Sequence, residues 1–244
     1  NFAKKKNILL IKHKDYIGGR YSVLSEVGML PAILMGLKVK NFRISLLKYF
    51  TKQRKKLLIE NVVKISQIFK SKKFSSIILL NYDPKLSNTL YWLQQLMAES
   101  LGKKNLGLLP IVSNAPKDHH SLLQLYIDGP KDKFFYIINS SKSKKLNRSK
   151  NFFGSKFKFL ENKSLSKIVS SQEKAILQVF KNKNIPFRKI EIKKISEDVI
   201  GEFFSYFMIE TILIGRLMNL NPFNQPSVEE VKILTKNFLN SLNW

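Results

Sequence analysis

Residues 74–81, FSSIILLN, form an apolar run that predicts a short buried strand, and a helix is predicted directly after it. The helix covers residues 88–101, where Leu90, Leu93 and Met97 repeat at helical spacing and form one apolar stripe. Strands that alternate with helices are typical of parallel sheets whose two faces are both covered. This stretch therefore predicts an α/β fold.

The same alternation continues on both sides of this stretch. Further short strands are predicted at residues 7–11, 106–112, 134–138 and 187–195. Further helices are predicted at residues 23–37, 52–71, 122–127, 164–181, 196–220 and 227–242. We expect Pro31 to kink the first of these helices. We also expect the polar, lysine-rich segment 140–150 to be an exposed loop.

The composition of the 244 residues limits the class of protein. Hydrophobic residues make up 44% of the chain, which favours a globular core over disorder. The chain has no cysteine, which excludes disulfides, zinc ribbons and thiol catalysis and favours a reducing, cytoplasmic location. The closest candidate for a bilayer span, residues 199–220, is interrupted by Glu202, Glu210 and Arg216, so no membrane span is predicted. The first residue is Asn1 rather than Met, with no leader, and we expect a fragment or a processed chain.

The formal net charge of +26 raises the question of an acidic partner. The lysines are scattered among Asn, Ile, Phe and Ser along the whole chain instead of forming one patch. No basic region carries the regular aromatic side chains of a single-strand binder, and no RNP-like or zinc-finger pattern is present. Nucleic-acid binding is therefore not predicted as the main function; such a protein would show an affinity that falls steeply with salt.

A first candidate motif is DYIGGRYSVLSEVG, residues 15–28, which follows the predicted strand at 7–11. The pair Gly18-Gly19 is expected to take positive φ at a strand-to-helix turn and to allow close approach of another group. The helix N-terminus and the donors of Arg20 would then form a cradle for an anion or an oxyanion. A tight turn followed by a solvated arginine is the alternative that this motif leaves open.

A second motif is YWLQQLMAESLGK, residues 91–103, on the predicted helix. Trp92, Gln95 and Glu99 are spaced so that they lie on one helix face. A glutamate beside an indole and an amide is a candidate general base, because burial can tune its pKa. The spacing alone also fits a solvated glutamine and glutamate face.

A third motif is NAPKDHHSLLQLY, residues 114–126. Asp118 is interpreted as an N-cap, which would place His119 and His120 in the first helical turn, where the dipole favours a neutral imidazole. A metal site is not predicted, because only His13 remains as a further histidine and adjacent helical residues do not face one another. An exposed histidine pair in a turn is the alternative.

A fourth motif is NPFNQPSVEEVK, residues 221–232. Its prolines mark a loop, and Ser227 is interpreted as the N-cap of a closing helix, with Glu230 completing a capping box. Lys232 lies just over one turn into that helix. Taken alone, Lys232 is one of 43 basic residues and fits a solvated lysine.

The stretches GGRYSVLSEVG, WLQQLMAESLGK, KDHHSLLQLYIDGP and NPFNQPSVEEVK occur in an order and spacing that resemble the phosphoglucose isomerase family along nearly the whole chain. The resemblance implies a sugar-isomerase (SIS) fold, a doubly wound, mostly parallel α/β sheet with helices on both faces, occurring twice per subunit. It also implies interconversion of glucose 6-phosphate and fructose 6-phosphate without a metal or cofactor. The resemblance further implies a dimer, with a histidine contributed across the interface.

The resemblance assigns roles to individual residues of this sequence. Gly19 and Arg20 match the oxyanion side, where Arg20 would stabilise an enediol(ate) intermediate. Glu99 matches the base that moves a proton between C1 and C2, with Gln95 beside it.

Three further positions of the resemblance come from the third and fourth motifs. His120, rather than His119, matches the family's ring-opening histidine, which would be supplied to a partner subunit in a homodimer. Gln225 and Lys232 match the closing helix, where the lysine assists ring opening and contacts the sugar-phosphate substrate.

The chain departs from the family pattern at Glu26 and at Pro226-Ser227, neither of which replaces a reacting group. The family's phosphate-binding half, with its glycine-rich and serine/threonine-rich loop, is expected to precede Asn1. Residues 1–45 are accordingly interpreted as the end of a first SIS subdomain, 46–220 as a second subdomain and 221–244 as a helix returning to the active site. A non-catalytic SIS-type sugar-phosphate-binding module remains the alternative, although such a module needs no base.

Overall fold

The structure is a computed structural model and describes residues 2–140 and 155–241. Within that part of the chain a sheet forms from the four strands β1 to β4, at Ser76–Asn81, Leu109–Asn114, Lys133–Ser140 and Phe187–Ile192. The strand order is β2-β1-β3-β4 and every pairing is parallel. The α/β class and the parallel sheet predicted from the sequence are confirmed. The predicted loop at 140–150 lies outside the described residues beyond Ser140, which ends β3.

Helices connect and cover the strands. The α-helices α1 to α10 are Phe2–Lys5, Glu26–Leu34, Val39–Ile44, Lys52–Lys70, Ser87–Leu101, Lys117–Ser121, Leu123–Asp128, Leu165–Asn182, Glu197–Leu217 and Pro226–Ser241. Short 3₁₀ helices occur at Gly19–Leu24, Ser45–Phe50, Pro84–Leu86 and Ser155–Leu160. The predicted helix at 23–37 is thus divided into a 3₁₀ turn and α2, and Pro31 lies inside α2.

The two faces of the sheet bury separate sets of side chains, because successive residues of a strand point to opposite faces. On one face Ile77 and Leu79 of β1 pack with α4, α5 and α9. On the other face Ile78 and Leu80 pack with α7 and α8. β1 is buried along its whole length, as the central strand of a sheet covered on both faces must be.

The strand predicted at 7–11 does not form. Residues 8–14 have no regular structure, and Leu9 is 86% exposed. An apolar run becomes a strand only where a neighbour offers ladder hydrogen bonds. None of the strands in the described sheet pairs with this run.

A buried ion pair joins β4 to α9. Arg188 donates from one nitrogen to both carboxylate oxygens of Glu210, at 2.8 and 3.0 Å, and the Tyr206 hydroxyl donates to Glu210 Oε1 at 2.7 Å. The guanidinium lies 5.2 Å from the ring centroids of both Tyr136 and Tyr206. Burial alone would lower the pKa of Arg188, but the Glu210 carboxylate and these phenols outweigh it and raise that pKa. We refer to the ion pair of Arg188 and Glu210 as the sealed pair, because the rings of Tyr206 and Tyr136 lie against it.

Helix α9 also packs closely on the segment that precedes the sheet. A Cβ atom at Gly201 would overlap the carbonyl oxygen of Phe42 in α3, so the two helices cross at a point where only glycine fits. Phe42 is itself buried with Met29 and Ala32 of α2. The segment that carries the first motif is therefore held against the same helix that contributes Glu210.

Candidate active site

Arg20 is the centre of a polar cluster in which three of the four motifs meet. Its side chain is buried, and its five N–H donors are all engaged. Nε donates to Ser100 Oγ at 2.8 Å, and one terminal nitrogen donates to Glu99 Oε2 at 3.2 Å and to Gln225 Oε1 at 3.0 Å. The other terminal nitrogen donates to the carbonyl oxygens of Pro222 at 2.6 Å and Asn224 at 3.1 Å. Arg20 is not the solvated arginine of the alternative interpretation.

Glu99 lies near the end of α5 with its carboxylate held on both sides. Arg20 donates to Oε2, and Gln95 Nε2 donates to Oε1 at 3.0 Å, as their positions one helical turn apart allow. The Glu99 side chain remains 26% exposed. The carboxylate is therefore fixed in place and still open to a ligand, which is the arrangement a general base requires.

Aromatic side chains pack around this cluster. The Trp92 indole N–H donates to the carbonyl oxygen of Arg20 at 3.0 Å, so the predicted face of Trp92, Gln95 and Glu99 does turn towards Arg20. The Tyr21 ring lies 5.4 Å from that of Phe223, and its hydroxyl lies 3.0 Å from Ser100 Oγ. Burial raises the pKa of Tyr21, although Ser100 and Arg20 partly offset this effect.

The two glycines of the first motif differ from the prediction in their backbone conformation. Gly18 has φ −65° and ψ 154°, and neither Gly18 nor Gly19 has a positive φ. The expectation of a positive φ is wrong, because the chain passes directly from the extended Gly18 into a 3₁₀ helix that starts at Gly19. A Cβ at Gly19 would meet no described atom within 4 Å, so Gly19 borders open space beside Arg20.

The structure does not bring His120 to this cluster. Helix α5 begins at the carboxyl edge of the sheet, where Ser87 Oγ lies 3.4 Å from Asn114 Oδ1, and ends at Leu101 beyond Glu99. Its 15 residues span about 22 Å at about 1.5 Å per residue. His120 follows β2 at the carboxyl edge and is exposed, so His120 and Glu99 of one chain lie at opposite edges of the sheet.

Among the residues that the structure describes, His119 and not His120 has a side-chain hydrogen-bond partner. Its Nε2 lies 2.7 Å from the Tyr82 hydroxyl, and burial lowers the pKa of His119, with Asp118 partly offsetting the shift. Asp118 is not the N-cap that the sequence suggested, because α6 begins at Lys117. It instead accepts from the Asn114 N–H at 2.7 Å and from Ser113 Oγ at 2.9 Å, which ties α6 to the end of β2.

Lys232 is also separate from the cluster. Its ammonium pairs with Glu229 at 2.7 Å, and its side chain is 60% exposed. None of the described side chains of α10 is buried. The helix begins at Pro226, so Ser227 lies inside it and is not its cap.

Ser100, Tyr21 and the carbonyl oxygens of Pro222 and Asn224 were not predicted as parts of the site. Ser100 directly follows Glu99, but adjacent helical residues point about 100° apart, so helical spacing gave no reason to include it. The two carbonyl groups carry no side-chain signal at all. Only the path of the loop between α9 and α10 places them on Arg20.

Metal and membrane signals are absent from the described ranges 2–140 and 155–241. There, no group of three or more His, Cys, Asp or Glu residues is arranged to hold a metal ion. Within the same ranges, no helix has both the length and the apolar character needed to cross a bilayer.

Comparison with known proteins supplies the family. The family model described as phosphoglucose isomerase matches residues 4–244. The chain belongs to the phosphoglucose isomerase family. It is 30% identical over 238 residues to a protein of Methanococcus maripaludis named probable glucose-6-phosphate isomerase, covering 93% of this chain and 52% of that protein. It is 32% identical over 242 residues to the glucose-6-phosphate isomerase of Mycoplasmopsis synoviae, covering 94% of this chain and 55% of that protein.

Solved structures show the same fold. A hypothetical protein from Thermus thermophilus matches 98% of this chain with a TM-score of 0.85 at 23% identity, over 59% of its own length. A glucose-6-phosphate isomerase from Chlamydia trachomatis matches 97% of this chain with a TM-score of 0.75 at 17% identity, over 50% of its own length. The chain thus spans about half the length of the curated phosphoglucose isomerases that it matches.

Proposed function

We propose that this protein interconverts glucose 6-phosphate and fructose 6-phosphate through an enediol(ate) intermediate. The observation that carries the proposal is the Glu99 carboxylate, which Arg20 and Gln95 hold at 3.2 and 3.0 Å while one quarter of the side chain stays exposed. Family membership and the names of the relatives support the same reaction. The alternative, a non-catalytic sugar-phosphate-binding module, has no need for a positioned and open carboxylate.

In this mechanism Glu99 takes the proton from C2 of the open-chain aldose and returns it to C1 of the enediol(ate). Arg20 supplies a fixed positive charge beside the negative charge that develops. Since all of its N–H groups already have acceptors, a substrate oxygen must replace one of them to bind the guanidinium directly. We assign that exchange to the neutral Gln225 amide oxygen, which shares its nitrogen with Glu99. Gly19 borders the open space that the sugar would fill.

The phosphate group is bound, in this proposal, by residues outside the 244 of this chain. The chain spans about half of its relatives, and we divide it into the end of a first SIS subdomain (1–45), a second subdomain (46–220) and a returning helix (221–244). Remote phosphate contacts supply binding energy that is used in the transition state. The 244 residues by themselves should therefore show negligible turnover. The reaction shifts one hydrogen from C2 to C1 and one proton from O2 to O1 with no net oxidation, so it requires no cofactor, and we place it in the cytoplasm.

Ring opening is assigned to His120 and Lys232 across a homodimer. The distance of about 18 Å along α5 from Ser87 to Glu99, at about 1.5 Å per residue, is too great for His120 to serve Glu99 of its own chain. The partner subunit's His120 would complete the site instead. Lys232 would contact the sugar when the partner subunit packs against α10. Both side chains are exposed and available for such contacts.

The reaction is tested with Glu99→Gln in the complete protein. The change keeps size and hydrogen bonding but removes the proton acceptor, so turnover should fall by roughly 10²–10⁴-fold while sugar-phosphate binding persists. Solvent deuterium incorporation at C2 should fall in parallel, because both processes use the same carboxylate. Gln95→Ala should cost less, and Glu60→Gln, at an exposed position on α4, is the control. Normal turnover in Glu99→Gln would refute the mechanism, and binding without turnover in the native protein would favour the non-catalytic module.

The shared site is tested by mixing subunits. His120→Ala and Glu99→Gln proteins, each poor alone, should recover part of the activity after exchange, because a mixed dimer contains one site with both groups intact. Absence of recovery despite demonstrated exchange would indicate a site built from one chain.

A further inference from the structure

The loop between α9 and α10 holds Arg20 with three of its acceptors. The carbonyl oxygens of Pro222 and Asn224 accept from one terminal nitrogen, and Gln225 Oε1 accepts from the other. Water could donate hydrogen bonds to these carbonyl groups in place of Arg20. Their contact with the guanidinium therefore depends on a further interaction that holds the loop in place. The guanidinium in turn donates to Glu99, so the position of the loop also affects the position of the Glu99 carboxylate.

Lys103 fixes this loop on both sides of Pro222. Its ammonium donates to the carbonyl oxygen of Asn221 and to Asn224 Oδ1 at 3.0 Å. Lys103 lies just past the end of α5, the helix that carries Glu99, and so keeps a fixed position relative to that carboxylate. The short segment 99–103 thus supplies both the Glu99 carboxylate and the Lys103 ammonium that holds the loop against Arg20.

The placement of Lys103 has an electrostatic cost. Burial and the nearby charge of Arg20 lower the pKa of Lys103, and Glu99 offsets only part of this effect. Both cations bind the same loop, but through different oxygens. The Asn221 carbonyl oxygen and Asn224 Oδ1 accept from Lys103, whereas the carbonyl groups of Pro222 and Asn224 accept from Arg20. Neighbouring Lys104 differs, since it is exposed and lies 3.4 Å from the carbonyl oxygen of Asn219, which does not contact Arg20.

We propose that Lys103 is a positioning residue, which locks the loop at residues 221–224 so that its carbonyl groups hold Arg20 in register with Glu99. The consequence for turnover rests on the proposed isomerase function. The consequence for the geometry of Arg20 does not, and it can be measured without substrate.

The first test follows the Nε–H of Arg20 by NMR in the complete protein without substrate, because this buried proton is hydrogen-bonded to Ser100. Lys103→Met should increase its exchange with solvent about tenfold or more, as expected when a charge-assisted hydrogen bond is lost. The Trp92 indole N–H, which donates to the carbonyl of Arg20, should shift at the same time. Lys103→Arg, which keeps a cationic donor, should restore part of the protection, and Lys104→Met should leave both signals unchanged.

A second variant approaches the same contact from the loop. Asn224→Ala removes Oδ1 but keeps the carbonyl group that binds Arg20, and it should increase the exchange of the Arg20 Nε–H in the same direction. Unchanged exchange in Lys103→Met, or equal loss of protection in Lys104→Met, would overturn the proposal. Either result would do so whatever Glu99→Gln shows.

Turnover provides the third readout. In the complete protein, Lys103→Met should lower kcat about tenfold and change KM little, since the substrate phosphate is bound elsewhere. A higher KM with an unchanged kcat would assign Lys103 to substrate binding and overturn the positioning role. If Glu99→Gln proves fully active, the isomerase proposal fails, while the exchange measurement still decides on the loop.

Discussion

Arg188 and Arg20 each hold one glutamate, but the two glutamates differ in their access to solvent. In the sealed pair, Glu210 is 3% exposed, and Arg188 and Tyr206 engage its carboxylate beneath aromatic rings. Arg20 is the more deeply buried of the two arginines, at 2% against 17%, yet its partner Glu99 is 26% exposed. The two ion pairs therefore differ in the exposure of the carboxylate, and the burial of the arginine does not account for this difference.

This difference indicates what each pair can do. Both oxygens of Glu210 accept from Arg188, and Oε1 also accepts from Tyr206, so this buried carboxylate stabilises β4 against α9 and is not open to a ligand. Glu99 receives one donor on each oxygen and keeps an open side. A buried arginine thus serves as structural support in one place and holds a reactive group in the other.

The largest expected effect is on the sealed pair. Glu210→Gln keeps the shape of the side chain but leaves the Arg188 charge buried without its counterion. Removing one partner of a buried pair costs roughly 3–5 kcal/mol, so the free energy of unfolding in urea should fall by about that amount. Glu191→Gln, on β4 and about half exposed, is the control and should change stability by less than about 1 kcal/mol. A loss in Glu210→Gln no larger than the control would show that the pair is not sealed.

An intermediate effect is expected at Ser100. Its hydroxyl is fully buried, accepts from Arg20 Nε and lies beside the Tyr21 hydroxyl. Ser100→Ala leaves a buried donor without its acceptor, which typically costs about 1–3 kcal/mol. Calorimetry should show this loss, whereas Ser171→Ala, whose exposed hydroxyl donates to the carbonyl of Lys167, should be close to neutral. Equal stabilities would mean that water replaces the hydroxyl and that Arg20 is less enclosed than Arg188.

The smallest effect on stability is expected at Glu99 itself. Glu99→Gln keeps an acceptor for Arg20 and sits at a position that water reaches, so the free energy of unfolding should change by less than about 1 kcal/mol. The same substitution is expected to abolish most of the turnover. Denaturant unfolding of Glu99→Gln and Glu210→Gln side by side measures this contrast. A loss at Glu99 as large as that at Glu210 would remove the distinction between the two pairs.

The sequence predicted the fold well where a single segment carries the signal. The strand at 74–81 and the helix at 88–101 were predicted within a few residues, because their apolar pattern is strong and local. The run at 7–11 has the same apolar character but forms no strand, since pairing depends on neighbours far along the chain. Strand pairing is a property of two segments, and one segment cannot reveal it.

The candidate site shows the same limit. The motifs identified Arg20, Glu99, Gln95 and Gln225, which the fold does bring together. The motifs alone do not show that His120 lies at the opposite edge of the sheet, because distance in space depends on the direction of α5 between them. The backbone carbonyl groups that accept from Arg20 could not be predicted from the motifs either, since every residue has a carbonyl group.

Helix α9 meets three separate constraints along its 21 residues. Gly201 fits against α3, Glu210 meets Arg188, and the loop that follows the helix delivers its carbonyl groups to Arg20. One inserted residue would rotate everything beyond it by about 100° and advance it by about 1.5 Å. No rotation of the helix about its axis could then keep both the Gly201 contact near its start and the Glu210 contact further along. We therefore expect an insertion or deletion in this helix to be more damaging than most substitutions of its side chains.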